Sequence, residues 1–297
     1  MTDKSDSGIR GAIPLPRWAR LPINRCNLPA AILGGLTFNA HPAALTLDGV
    51  HTLHRPLLAM LDDMDEREER ARGFMHYMAQ HFRLAQPEDA GYGPSRDVDQ
   101  AARPLPRSSR GISPRNRTRA SYLRVVRGWF FDPDGREAAV LKGWVESRFG
   151  LTPRHHGEPL RDPASTAYAQ YLEHRATGLY GTNALEEQLD LLYTYCQYEL
   201  ARQPGAHLHR KLYRGVNRVH AHERLAVLDR KREVLLLNNL NSFSSSRERA
   251  GEFGDYILSA TVPTSKIVFF TELLPGMPKG EDEYAVIGGL YEVAFAT

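Results

Sequence analysis

Three consecutive carboxylates, Glu281, Asp282 and Glu283, lie near the end of the chain, directly before the apolar run Tyr284-Ala285-Val286-Ile287. Strands disfavour acidic residues and neighbouring like charges repel, so their position at the start of a predicted strand is unusual. Alternation along a strand would put Glu281 and Glu283 on one face, with Cα atoms about 7 Å apart, and Asp282 on the other. Such a pair is typical of a solvated strand end, but it could also serve one reacting centre in two roles.

Two further short motifs precede these acids. Arg214 lies in a predicted strand between Tyr213 and Gly215; its planar guanidinium could clamp a phosphate or carboxylate, and the glycine would let a ligand approach the backbone. The run Ser-Phe-Ser-Ser-Ser, residues 242–246, ends another predicted strand and opens a short helix. Taken singly, an edge arginine and serines that cap a helix explain both motifs without a ligand.

The elements that would carry these motifs follow from the spacing of apolar residues. Helices are predicted at about 54–82, 136–149 and 165–176, and a further helix from Asn183 would bury Cys196 on its apolar face. After Pro204 the chain changes to short β-rich runs separated by turns, with one short helical stretch near Glu248. The pattern predicts an α+β fold, mostly helical first and β-rich afterwards.

Length and composition limit the classes of protein that fit. The chain has 297 residues, of which 42% are hydrophobic, enough for one large or two ordinary domains. No apolar run is long enough to span a bilayer, and the first twenty residues lack the apolar stretch of a secretory signal. Cys26 and Cys196 are far apart, and the histidines lack a third ligand at metal-binding spacing, so we expect a cytoplasmic protein without disulfide or metal.

Positive charge is concentrated in one segment, although the net charge is only +3. Residues 101–127 contain eight arginines and no acid, and they overlap a loop rich in Pro, Gly and Arg at about 86–119. A loop of this length is either a solvated segment or a functional one. The functional hypothesis is that Arg115, Arg117 and Arg119 dock an acidic partner. Nucleic acid is the weaker alternative, because aromatic residues for base stacking are sparse there.

Taken together and in this order, the three motifs resemble those of the mono-ADP-ribosyltransferases with an Arg–Ser–Glu signature. The matching stretches are Tyr213-Arg214-Gly215, Phe243-Ser244-Ser245-Ser246 and Glu281-Asp282-Glu283. The family often has Ser-Thr-Ser in the middle motif, where this chain has Ser245, and Glu-x-Glu is the form seen in members that modify arginine. The length and the stretches "NRCNLPA", "FMHYMAQHF" and "KLYRGVN" also resemble the dinitrogenase reductase ADP-ribosyltransferases of nitrogen-fixing bacteria.

This resemblance implies an architecture, a reaction and partners. A helical region at 1–160 would precede an ADP-ribosyltransferase core of two packed sheets at 161–297. The implied enzyme uses NAD as co-substrate and transfers ADP-ribose to an arginine of the nitrogenase iron protein, which it inactivates, and it releases nicotinamide. A PII signal protein would regulate it, and no metal, nucleic acid or membrane would take part.

The resemblance also implies catalytic roles for the matching residues. Glu283 would stabilise the oxocarbenium-like cation that develops on the ribose as nicotinamide leaves, and Ser244 would orient Glu283. Glu281 would hold the incoming guanidinium and take its proton as the new bond forms, since the pKa of arginine, above about 12, prevents deprotonation beforehand. Asp282, on the other face of the strand, would be structural.

The expected NAD-binding residues include Ser244, Glu283, Phe253 and the three residues of the arginine motif. Arg214 would clamp the diphosphate, the Gly215 backbone would hold the nicotinamide amide, and Tyr213 flanks them both. Phe253, nine residues after Ser244, would pack its ring on the nicotinamide.

Three alternatives remain open at this point. An NAD glycohydrolase on the same fold would use water as acceptor, and Glu281 argues against this as the main activity. A non-catalytic regulatory binding module would keep the fold, but the presence of Arg214 and Glu283 argues against it. A nucleic-acid-binding protein would use the basic segment and would bind in a salt-sensitive way.

Overall fold

The structure is a computed structural model that describes residues 13–84, 121–180, 182, 184–203, 205, 207–217, 222–277 and 282–296. Four of the predicted site residues therefore lie outside the described residues: Glu281, Arg115, Arg117 and Arg119. The other predicted site residues are all described.

The first part of the chain is helical, as predicted. After a 3₁₀ turn at Arg17–Ala19, the helices are α1 (Ala30–Leu33), α2 (Leu36–Ala40), α3 (Val50–Leu53), α4 (Arg55–Asp62), α5 (Arg67–His81), α6 (Tyr122–Phe131), α7 (Arg136–Phe149), α8 (Thr166–Leu179) and α9 (Leu185–Arg202). Helix α7 ends where predicted, because Gly150 adopts a left-handed φ of 71° that closes the helix.

The single helix predicted at 54–82 is wrong, since the chain there forms α4 and α5 with a break between them. Arg70 explains how the break is stabilised. Its guanidinium donates to the carbonyl oxygens of Met64 and Asp65, which have left the helical hydrogen-bond ladder. It also forms a buried ion pair with Glu199, with an Nε to Oε1 distance of 2.8 Å. The break between α4 and α5 is therefore stabilised by the ion pair that Arg70 forms with Glu199 on α9.

The second part of the chain is β-rich, as predicted. After the short pair β1 (His155–His156) and β2 (Glu158–Pro159), the strands are β3 (His209–Val216), β4 (Glu223–Val227), β5 (Arg232–Ser244), β6 (Tyr256–Pro263), β7 (Ile267–Phe270) and β8 (Glu283–Ala296), with helix α10 (Arg247–Gly251) between β5 and β6. Each of the apolar runs that follow Pro204 lies within a strand. The short, half-polar strand β4 is an addition that the sequence pattern did not predict. The α+β class is confirmed.

The six long strands pair antiparallel in a closed arrangement. Strand β5 pairs with β3, β3 with β6, β6 with β8, and β8 pairs back with β5 along its length. Strand β4 extends the outer edge of β5, and β7 extends that of β8. The six strands thus belong to one hydrogen-bonded sheet, in which the additional pairing of β5 with β8 closes the ring of strands.

The helices and strands share one hydrophobic core, which contains residues from both sides of position 160. The N-terminal helices reach the last strand directly: the Leu290 amide donates to the Gly34 carbonyl over 2.8 Å, and the Asn39 side chain donates to the Leu290 carbonyl over 2.7 Å. Gly289 allows this contact, since it has a φ of 102° and a Cβ there would lie 2.6 Å from the Gly34 oxygen. Cys196 is fully buried in this core, as predicted.

A lysine lies in the middle of this core. Lys266, at the turn between β6 and β7, is 0% exposed. Its Nζ donates to the Gly288 carbonyl over 3.2 Å and lies 4.8 Å from the ring centroid of Tyr291 and 5.5 Å from that of Phe38. Burial lowers the pKa of its ammonium group to about 7, because the charged form loses its hydration.

Replacing Lys266 with methionine should therefore stabilise the fold in a pH-dependent way. The unfolded lysine keeps a pKa near 10.4, so between about pH 7 and pH 10 the unfolded state binds more protons and the lysine's penalty falls as pH rises. We expect Lys266→Met to be the more stable protein at pH 7, with its advantage about 2 kcal/mol smaller at pH 9. Urea unfolding at both pH values measures this; an advantage that does not change with pH would contradict it.

Candidate active site

The three motifs meet in one row across three strands. Tyr213 on β3 is the direct cross-strand partner of Ser244 on β5, and Ser244 is in turn the partner of Glu283 on β8. Direct partners in antiparallel strands have Cβ atoms roughly 5 Å apart. The strand pairing thus brings together residues that are separated by up to 70 positions in sequence.

Glu283 is buried, with 9% exposure, at the first position of β8. Two donors reach the same carboxylate oxygen, Oε1. The Ser242 hydroxyl donates over 2.5 Å, and the indole N–H of Trp129, on α6, donates over 3.0 Å. Sequence reasoning missed both donors. Ser242 could have been found, because it lies two residues before Ser244 and therefore on the same face of the strand, whereas no sequence signal points to Trp129.

The serine cluster has two parts with different tasks. Ser246 is the N-cap of α10, and its hydroxyl accepts the Arg249 amide over 3.2 Å, so the capping interpretation is confirmed for this residue. Ser244 is buried beside Glu283, and its hydroxyl accepts the Ser246 amide over 3.1 Å. That Ser244 orients Glu283 stays a prediction; a hydroxyl that donates to that carboxylate belongs to Ser242.

Arg214 lies close enough to Glu283 for their charges to interact. Its Nη1 donates to the Ser242 carbonyl over 2.7 Å, while its buried Nε has no hydrogen-bond partner among the described residues. Burial lowers the pKa of the Arg214 guanidinium, and the negative charges of Glu283 and Asp134 oppose that change. A half-buried guanidinium with a buried, unused N–H donor suits an anionic ligand.

Gly215 is a glycine because helix α10 lies against it. A Cβ at this position would lie only 2.0 Å from the carbonyl oxygen of Ala250. The close approach that requires glycine is therefore made by the protein's own backbone, and the approach of a ligand to this glycine stays a prediction. That its backbone holds nicotinamide stays a prediction, as does the role of Tyr213. Phe253, just after α10, is 59% exposed, so its ring is accessible to a ligand.

The acidic stretch does not continue the strand, contrary to the prediction. Strand β8 begins at Glu283, and Asp282 has a left-handed φ of 45°. The Asp282 carbonyl accepts the Ser245 amide over 3.1 Å, which fixes the turn into the strand. The alternation that would place Glu281 on the face of Glu283 therefore does not extend past the strand's first residue.

A second polar cluster surrounds the buried ammonium group of Lys142 on α7, whose charge interacts with that of Arg214. Its Nζ contacts Asp134 Oδ1 at 2.9 Å, the His155 carbonyl at 3.0 Å and His156 Nδ1 at 3.3 Å. The Nε2–H of His156 then donates to His174 Nδ1 over 2.9 Å, because Nδ1 of His156 already accepts from the ammonium. His174 also lines an open cavity of about 550 Å³ that includes no residue of the motif row.

Charge pairing determines the protonation of this cluster. Burial would raise the pKa of the Asp134 carboxyl, but the His155 ring, with Nδ1 3.7 Å from Oδ1, and the charged ammonium group of Lys142 outweigh burial and lower that pKa. Burial lowers the pKa of Lys142, against the attraction of Asp134. Burial and the Lys142 charge lower the pKa of His156 to about 4, so this histidine is neutral near pH 7.

Among the described residues, no group of three His, Cys, Asp or Glu side chains is placed to hold a metal ion. No helix in the described ranges combines the length and the apolar composition needed to cross a bilayer. That the reaction needs no metal stays a prediction.

Adding a methyl group at Gly215 should destabilise the protein without any ligand present. Gly215→Ala would force the Ala250 carbonyl away, and overpacking of this kind costs about 1–3 kcal/mol. Gly251→Ala is the matched control, since a Cβ there would lie 3.5 Å from Ile257 Cδ1, an ordinary contact. Urea unfolding measures both. Equal stability of the two variants would show that α10 does not pack on β3 as described.

Comparison with known proteins places the chain in a family. The sequence profile described as Dinitrogenase reductase ADP-ribosyltransferase (DRAT) matches residues 23–295. A curated protein of Rhodospirillum rubrum, named NAD(+)–dinitrogen-reductase ADP-D-ribosyltransferase, is 42% identical over 273 residues, which cover 91% of this chain and 93% of that protein. No solved structure matches the chain significantly. The chain therefore belongs to the dinitrogenase reductase ADP-ribosyltransferase family.

Proposed function

We propose that this protein transfers ADP-ribose from NAD to an arginine side chain of dinitrogenase reductase, the nitrogenase iron protein, and thereby inactivates it. The observation that carries the proposal is the row of Tyr213, Ser244 and Glu283 across three strands, in a chain 42% identical to a relative with this activity in its name. The row brings together the three motifs that define the reaction in the resembling enzymes.

The chemistry requires a negative charge beside the ribose. As the bond between the anomeric carbon and the nicotinamide nitrogen breaks, nicotinamide leaves with the electron pair and positive charge develops on the sugar. An ionised, pre-positioned carboxylate stabilises that charge more in the transition state than in the ground state. Glu283 suits this task because it is buried and hydrogen-bonded through Oε1.

The diphosphate of NAD needs a cation on the same side of the site. Arg214 is close enough to Glu283 to interact with its charge and has a buried, unpartnered Nε. Holding the phosphates there would fix the ribose relative to Glu283 and would keep the ADP-ribose group bound after nicotinamide leaves. The exposed ring of Phe253 and the Gly215 backbone would hold the nicotinamide.

The acceptor step needs a second carboxylate. A guanidinium nitrogen attacks the anomeric carbon, and a proton must leave as the new C–N bond forms. Glu281 would hold the incoming guanidinium and take that proton. Strand β8 begins only at Glu283, and Asp282 has a left-handed φ of 45°, so this role of Glu281 rests on the Glu-x-Glu motif and not on strand alternation.

Further parts of the proposal concern partners and location. The arginine-rich segment that includes Arg115, Arg117 and Arg119 would dock the protein substrate, and a PII signal protein would regulate the enzyme in the cytoplasm. NAD is consumed as a co-substrate, and no metal takes part. Hydrolysis of NAD by water is the competing outcome at the same site whenever no acceptor arginine is bound.

Removing the charge of Glu283 should abolish both activities. Glu283→Gln keeps size and hydrogen bonding but removes the charge that faces the ribose cation. Nicotinamide release and protein labelling should both fall by a factor of about 10² or more, which corresponds to roughly 3 kcal/mol. Asp282→Asn is the matched control, because it removes the adjacent charge and asparagine tolerates the left-handed backbone. Near-normal turnover by Glu283→Gln would refute the role of this carboxylate.

Removing the charge of Glu281 should separate the two activities. Glu281→Gln leaves the ribose-facing charge in place, so slow NAD hydrolysis should persist while transfer to the iron protein collapses. Nicotinamide release and protein labelling are measured in parallel on the same preparation. Equal loss of both activities, in a folded variant that still binds NAD, would contradict the division of labour between the glutamates.

Reversing the charge of the basic segment should affect transfer to protein selectively. Changing Arg115, Arg117 and Arg119 to Glu should slow labelling of the iron protein at low salt, since steering by charge acts on the encounter rate, and should leave NAD hydrolysis nearly unchanged. The control reverses three exposed arginines elsewhere, Arg55, Arg72 and Arg230, with the same change in net charge. Equal effects in both triple variants would exclude a specific docking role.

A further inference from the structure

The Glu283 carboxylate is hydrogen-bonded by a residue outside the three family motifs. Trp129 Nε1 lies 3.0 Å from Glu283 Oε1, and the Ser242 hydroxyl lies 2.5 Å from the same oxygen. Two donors on one oxygen restrict rotation of the carboxylate about its last carbon–carbon bond. Donors to a buried carboxylate also favour its ionised form, since water is not there to solvate the charge.

Trp129 is itself firmly held, so its indole can position another group. The side chain is 2% exposed. The next residue, Phe130, packs edge to face on Phe269 of β7 with 5.7 Å between ring centroids, and β7 pairs with the part of β8 next to Glu283. On the other side, a Cβ at Gly128 would lie 2.4 Å from Glu137 Cβ on α7. Helix α6 is therefore packed tightly between α7 and the catalytic strand.

We propose that Trp129 is a positioning residue for the transferase reaction, whose indole N–H, together with the Ser242 hydroxyl, holds the Glu283 carboxylate in the orientation that faces the ribose. The proposal rests on the proposed function, in which Glu283 is the catalytic carboxylate. It assigns a task in catalysis to a helix of the N-terminal region, 154 residues away in sequence. A carboxylate fixed before the reaction needs no reorientation while the sugar becomes cationic.

Loss of the indole donor should have a specific kinetic effect. Without it the carboxylate rotates more freely and its ionised form is less stabilised, so its pKa rises and it becomes protonated at higher pH. Arg214 on β3, whose charge interacts with that of Glu283, is unchanged in this variant and would still hold the NAD phosphates. The value of kcat should therefore fall, its acidic limb should move to higher pH, and KM for NAD should change little.

The kinetic test compares two buried tryptophans that both donate to carboxylates. Trp129→Phe keeps an aromatic ring and loses the N–H. Trp144→Phe is the matched control, because the Trp144 indole is equally buried but donates over 2.7 Å to Asp190 on α9, which is not a residue of the motif row. We expect kcat for nicotinamide release to fall about 10-fold in Trp129→Phe, with its acidic limb raised by about half a pH unit or more. Trp144→Phe should show neither change.

Ser242→Ala provides a second, independent variant, because it removes the other donor on Oε1. It should move the acidic limb in the same direction as Trp129→Phe, and the double variant should move it further. If Trp129→Phe keeps the wild-type kcat and acidic limb, or loses activity without any change in the pH profile while Trp144→Phe behaves identically, Trp129 is only a packing residue and the proposal is overturned.

A spectroscopic readout tests the contact without turnover. The chain has three tryptophans, so ¹⁵N-indole spectra contain three side-chain N–H signals, and the one missing in Trp129→Phe identifies this residue. In the wild type this signal should shift as acid protonates Glu283, and the shift should disappear in Glu283→Gln. A signal that does not respond to either change would refute the contact. A responsive signal in a protein that never releases nicotinamide would instead refute the proposed function and leave the contact in place.

Discussion

The antiparallel pairing of β5 with β8 is the constraint on which the rest of the site depends. It places Ser244 opposite Glu283, and the pairing of β5 with β3 places Tyr213 opposite Ser244. A shift of one residue would turn every side chain of the strand to the other face. The apolar residues along both strands fix this register. Gly288 adds a second constraint, because a Cβ there would lie 1.6 Å from the Asn238 carbonyl oxygen. The N-terminal helices add a third, because Gly34 accepts a hydrogen bond from the Leu290 amide.

The same pairing buries the Glu283 carboxylate, and a buried carboxylate requires hydrogen-bond donors, one of which a helix supplies. An ionised group away from water requires donors and a counter-charge, or it becomes protonated. Trp129 on α6 and Ser242 on β5 supply the donors, and Arg214 on β3 supplies the positive charge. The helical region therefore contributes a donor to the candidate active site, in agreement with the large hydrophobic core that both parts of the chain share.

Local patterns predicted much of this arrangement. The α+β order, most strands and the end of α7 at Gly150 followed from apolar spacing and one glycine, and motif order indicated the family. Contacts between distant elements were not predictable from local patterns. The hydrogen bond from Trp129 to Glu283, the close contact of the Ala250 carbonyl with Gly215, and the break between α4 and α5 that Arg70 stabilises all depend on tertiary packing. The acidic stretch misled because alternation holds only inside a strand, and the left-handed Asp282 lies just outside it.

The most direct test of the proposed transfer is incubation of the purified protein with labelled NAD and dinitrogenase reductase, followed by mass spectrometry of the labelled peptide. We expect one ADP-ribose group on an arginine side chain, with one nicotinamide released for each group transferred beyond the slow hydrolysis seen without acceptor. Release of nicotinamide with free ADP-ribose as the sole product, and an unlabelled acceptor protein, would contradict the proposed transfer and identify the chain as an NAD glycohydrolase.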